Sequence, residues 1–143
     1  MKKKFVSGLL AVCLLLSGAF LTPAALMEEE AFAVDLSNMS DLMIYGMMFD
    51  VVSKPQDYEG KRMRLVGVYS PFKNPDTGEM EHTLIFYDIT YCCEVELRVY
   101  MKDEYQYPKD FPRDGEKMTV VGTLRVEGEG KKAVCWLEDG AME

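Results

Sequence analysis

Histidine is almost missing from this chain: His82 is the only one among 143 residues. A Ser-His-Asp arrangement would have to be built on His82, and no Gly-x-Ser-x-Gly elbow accompanies it. A phosphate-cradling glycine loop, an Asp-x-Asp-x-Asp calcium loop and a Cys-x-x-Cys redox pair are absent as well. Enzymatic chemistry therefore has no basis in the motifs, and a non-enzymatic protein is expected. Positive charge is also scarce, with 16 Lys and Arg against 24 Asp and Glu and a net charge of −8. An acidic surface repels phosphate backbones, so no nucleic-acid partner is expected.

What is present begins with an address. Met1-Lys2-Lys3-Lys4 is a short basic segment, and no charged residue follows from Phe5 to Met27. That is the pattern of a secretory signal. Ala31-Phe32-Ala33 is the best small-x-small cleavage site, giving a signal peptide over residues 1–33 and a mature chain from Val34; an earlier cut near Ala24 or Ala25 competes with it. The uncharged run is also long enough to remain as an uncleaved anchor, the one route by which this chain would hold a membrane. Cys13, in a Leu10-Ala11-Val12-Cys13 stretch, belongs to the apolar core of the leader, because Val12 is too bulky for a lipobox. The expected location is secreted or at the cell envelope. The remaining 110 residues suffice for one small domain and keep the whole net charge, since the leader carries three lysines and three glutamates.

Residues 35–52 read as a helix with Ser40 at its N-cap and Asp41 in the first turn. Leu42, Tyr45, Phe49 and Val52 follow helical spacing, and Ile44, Met47, Met48 and Val51 widen the apolar face. Met39, Met43 and Met47 form a stripe soft enough for copper(I), although methionine on an apolar helix face is ordinarily packing material. Pro55 ends the helix. Residues 34–58 are thus a helix and linker ahead of a β domain over residues 59–143.

The period then changes to two. Strands are expected over residues 62–69, 82–89, 95–101, 117–126 and 131–137, with turns at Asn74-Pro75-Asp76-Thr77-Gly78 and Glu127-Gly128-Glu129-Gly130. Residues 60–67 and 115–122 share one pattern, Gly, two polar residues, Met, polar, apolar, Val, Gly. A glycine inside a strand marks a bulge or the bend of a small barrel. Five short strands with such bends in the first and fourth predict a mainly β, five-stranded OB-like barrel preceded by the helix. The connector over residues 102–116 is too rich in proline for a helix. Its Tyr105, Tyr107 and Phe111 are expected to fold over an open barrel end, with a partner surface as the alternative.

Pro55-Gln56-Asp57-Tyr58-Glu59-Gly60-Lys61, Cys92-Cys93, Tyr107-Pro108-Lys109-Asp110-Phe111-Pro112 and Cys135-Trp136-Leu137-Glu138-Asp139-Gly140 follow one another in this order. The set resembles a group of small exported bacterial proteins whose OB-like domain is attached to, or encoded beside, predicted permeases. The resemblance spans roughly residues 40–143. It implies the barrel, a connection to metals, and an envelope protein or permease as partner. Tyr91 and Glu94 flank the cysteine pair where the group has small residues, and Leu84-Ile85-Phe86-Tyr87 stands where a further cysteine is expected.

Three thiols remain outside the leader: Cys92, Cys93 and Cys135. One outcome is a disulfide from Cys92 or Cys93 to Cys135, stapling a structural interaction module. Another is a site for zinc or another transition metal made by Cys92, Cys93 and Cys135, with His82 as fourth ligand. A third is three small buried hydrophobes. Successive strand residues point to opposite faces, so Cys92 and Cys93 can share one ion only if residues 90–93 form a turn or bulge. The expected function is a non-enzymatic accessory domain of the envelope that binds a metal or a protein.

Overall fold

Residues 62–69 alternate as a half-buried strand must: Met63, Leu65 and Tyr69 are fully buried and Arg62 is exposed. The computed structural model describes residues 31–143. In chain order these form β1 (Val34–Asp35), α1 (Asp41–Ser53), a 3₁₀ turn (Pro55–Tyr58), β2 (Arg62–Lys73), β3 (Met80–Tyr87), β4 (Glu94–Met101), β5 (Lys117–Glu127), a second 3₁₀ turn (Gly130–Lys132) and β6 (Val134–Met142). β4 shows the alternation most cleanly, burying Val95, Leu97 and Val99 while Glu94, Glu96, Arg98 and Tyr100 face water.

β2 pairs antiparallel with β3 and β3 with β4; β4 runs parallel to β6; β6 pairs antiparallel with β5, which returns to β2. The result is a closed five-stranded OB-like barrel with one extra strand and one helix. Two glycines make closure feasible. β2 leaves β5 for β3 around Gly67, where a Cβ would come within 2.9 Å of the Phe86 ring. β5 is bulged between Val121 and Thr123, and a Cβ on Gly122 would stand 2.7 Å from the Glu138 carbonyl oxygen. The repeated pattern has a spatial meaning as well. The two segments lie antiparallel, with Met63 opposite Gly122 and Gly67 opposite Met118.

α1 starts after Ser40, an extended residue whose side chain makes no capping bond, and it begins six residues later than the spacing of residues 35–52 suggests. Its inward face is Ile44, Met48 and Val51, whereas Leu42 and Phe49 are more than half exposed. Almost every position of this helix is apolar, so periodicity alone did not select the face. Of the methionine stripe, Met39 and Met47 pack on the core and Met43 is exposed.

Strand boundaries shift too. The third strand (β3) ends at Tyr87 rather than residue 89, and the last (β6) starts at Val134 after a 3₁₀ turn rather than at residue 131. β1 was not anticipated. It pairs parallel with β2, Val34 opposite Met63, on the β2 edge that β3 has not yet reached. The leader expected over residues 1–33 lies outside the described residues except for its last three.

The connector contains no helix and closes one end of the barrel. Phe111 stacks on His82 with ring centres 4.2 Å apart and packs against Tyr69 at 5.7 Å. The Tyr105 hydroxyl oxygen accepts the Met142 amide at 3.0 Å, tying the connector to the end of β6.

Candidate metal centre

Asp88 directly follows β3 and builds the turn that carries the cysteine pair. Its Oδ1 accepts the backbone amides of Cys92 at 3.0 Å and Cys93 at 3.3 Å, while its Oδ2 accepts the Thr90 hydroxyl at 2.6 Å. The Asp88 amide donates to the Cys93 carbonyl and the Tyr91 amide to the Asp88 carbonyl. Tyr91 takes a left-handed conformation, φ 57°, which lets the chain reverse within this short loop. Such side-chain to backbone bonding is the ordinary way an aspartate organises a turn. Its consequence is that Cys92 and Cys93 are not strand neighbours on opposite faces. Their Sγ atoms stand 3.5 Å apart, on the same side as Asp88 Oδ2, which lies 3.5 Å from Cys92 Sγ.

Asp88, Cys92 and Cys93 therefore form a group with ligand atoms close enough to hold one metal ion. The two 3.5 Å separations are near those of a tetrahedral ion, and the third, Cys93 Sγ to the carboxylate, is within 4.8 Å. Two thiolates bound to zinc at about 2.3 Å stand about 3.8 Å apart, and a thiolate and a carboxylate oxygen about 3.6 Å apart. Both thiols are exposed. The Thr90 hydroxyl, first among its causes, holds the Asp88 carboxyl below the usual carboxylate value, so this donor is ionised near neutral pH. The hydrogen bond and charge of Cys92 push the Cys93 thiol up. Tyr45 of α1 sits beside the loop: burial raises its phenol first, and the negative groups of Cys93, Asp88 and Cys92 add to the shift.

The other two expected ligands are elsewhere. Cys135 is half-buried on β6 and packs against the core, where burial raises its thiol. Its neighbour Trp136 is opposite Arg98, so Cys135 lies about four residues up β4 from Cys93, on the order of 13 Å along the strand. Among the described residues all three cysteines are free thiols, with no staple to Cys135.

His82 is at the far end of β3 from Asp88, about 20 Å away by strand rise. Its Nδ1 is 2.8 Å from the Tyr69 hydroxyl, its ring lies against Phe111, and burial lowers its pKa. The geometry thus brings together two of the four residues proposed from the sequence, Cys92 and Cys93, and adds Asp88. The aspartate escaped notice because the apolar alternation of the second strand was carried through to residue 89. The signal that would have found it is Asp88-Ile89-Thr90, an acid followed two residues later by a hydroxyl, as aspartate-led turns often have.

No protein-family model matches the chain, and no curated protein matches it.

Proposed function

We propose that this protein is an exported, non-enzymatic accessory domain of the cell envelope that binds a thiophilic metal ion, zinc or a similar transition metal, through Asp88, Cys92 and Cys93. The observation that supports it is the spacing of three donor atoms, 3.5 Å from Sγ to Sγ and 3.5 Å from Sγ to Oδ2, in an exposed turn held by the Asp88 carboxylate. Two thiolates and a carboxylate more than offset the charge of a divalent cation, leaving the site with one net negative charge, and match its preference for sulfur with one harder donor. The partner is an envelope protein or permease, as the resemblance to permease-associated domains implies.

If the chain is exported, the cut near Ala24 or Ala25 is favoured over the one after Ala33 by two contacts at the start of the fold. The Phe32 ring lies 4.2 Å from the Arg64 guanidinium and the Ala33 amide bonds the Arg62 carbonyl at 2.9 Å, contacts that a cut after Ala33 would remove and one near Ala24 or Ala25 would keep.

Native mass spectrometry of the domain after zinc exposure tests the ligand set. Cys92→Ser and Cys93→Ser should each lose the bound ion, and Asp88→Asn, which replaces a direct ligand, should weaken binding by at least the ~10- to 100-fold that losing a ligand's supporting partner costs. Cys135→Ser should bind as the parent does. Retention of zinc by both Cys92→Ser and Cys93→Ser removes this function.

A further inference from the structure

A site made of Asp88, Cys92 and Cys93 offers three donors where a closed zinc site needs four. No fourth His, Cys, Asp or Glu among the described residues joins the group. Cys135 is held along β6 and His82 is enclosed by Tyr69, Tyr107 and Phe111 at the opposite end of the barrel. Bringing in either would require breaking strand pairing or opening the connector.

The surroundings of the loop are those of a site that meets something. Within the turn, on either side of Thr90, Ile89 is 62% and Tyr91 75% exposed, and with Tyr87, whose ring lies 5.4 Å from that of Tyr91, they form a small apolar patch beside the thiols. A groove of about 420 Å³ opens beside them, walled by Ile44, Ile85 and Tyr87 and sharing Asp88 with the metal group.

We propose that the ion held by Asp88, Cys92 and Cys93 keeps one coordination position open to a thiolate or imidazole of a partner protein, which enters beside Ile89 and Tyr91 and takes the ion over by ligand exchange. This rests on the metal-binding function above. In the exchange the incoming donor fills the fourth position and the ion is held by both proteins; further donors of the partner then displace Cys92, Cys93 and Asp88 in turn, each thiolate taking up a proton from water as it leaves and the carboxylate leaving as its anion. No electron moves. Open zinc-type sites keep a water or substrate in that position, whereas structural sites are closed by four protein ligands. The exposed loop belongs to the first kind. The flanking apolar side chains supply the contact area that a passing partner needs, which the small polar turn alone lacks.

Cobalt(II) in the purified domain, kept anaerobic, reports the coordination sphere through its visible spectrum. The ion should bind, its spectrum should change on adding imidazole, and the Cys135→Ala variant should give the parent spectrum. Removal of the ion by the chelator 4-(2-pyridylazo)resorcinol should speed up in proportion to chelator concentration, because the chelator enters through the open position. A bound ion whose spectrum ignores imidazole, and whose release is independent of chelator concentration, would mean a closed site and overturn this inference alone. A spectrum altered by Cys135→Ala would do the same. Failure of cobalt and zinc to bind at all overturns the metal function itself.

Discussion

At the connector end of the barrel an imidazole is stacked on Phe111 and bonded to Tyr69, while at the other end two thiols and a carboxylate stand in an exposed turn beside α1. Both ends contain residue types that bind metals. Only one leaves its thiols exposed; the histidine at the other is half-buried. The difference comes from how each end is closed. A small barrel has too little core to spare its aromatics, so the connector packs Phe111 and Tyr105 onto the open mouth, and the histidine that lines it becomes part of the packing. At the opposite end the helix covers the core with Ile44, Met48 and Val51, which leaves the β3–β4 turn free for chemistry. Donor identity alone therefore says little about a site. Position along the strand decides.

The contrast can be broken most strongly at Phe111. Phe111→Ala removes the ring shared by Tyr69, His82, Tyr105 and Tyr107. It should cost about 2 kcal/mol, less than a fully buried phenylalanine because this one is half-buried. Urea denaturation should show that loss while zinc binding at the far turn stays unchanged; a parallel loss of zinc would show that the ends are coupled. A smaller effect lies in thiol reactivity. Iodoacetamide should modify Cys92 or Cys93 in the native protein at least about tenfold faster than Cys135, whose thiol is raised by burial and shielded. Equal rates at all three would erase the distinction.

The smallest effect is a pH slope. Burial lowers the folded pKa of His82 below its ordinary 6.5, so the neutral ring is the native form. As pH falls below 6.5 the unfolded chain takes up the proton first, and the native state loses stability until pH has passed the folded value. Between pH 7.5 and 5.0 the urea midpoint should fall more for the parent than for His82→Phe. Parallel curves would contradict a half-buried histidine held neutral by its surroundings.

The barrel was legible because alternation, two bend glycines and a proline-rich connector are local signals that agree with one topology. The candidate metal group was only half legible. Alternation tells which face a strand residue takes but is blind to a slip of two residues, which keeps every face and moves a side chain nearly 7 Å along the strand. Cys135 was grouped with Cys92 and Cys93 from the sequence, and the β4–β6 register sets it about four residues from Cys93. His82 was misjudged differently, since a lone polar residue at the head of a strand gives no hint of what will cover it. Phe111 arrives from 29 residues further along the chain. Asp88 stood in plain view, but its role exists only once the strand is known to stop at Tyr87.

β1 is only two residues long, yet it occupies an edge of β2 that would otherwise offer unpaired amides and carbonyls to solvent. A bare edge of this kind recruits strands from other chains, and natural sheets cover or blunt it. Val34 and Asp35 act as such a guard, locked by the Arg64 ion pair to Asp35 at 2.9 Å. Whether copies of this protein remain apart at high concentration is thus decided partly by a short segment at the start of the fold.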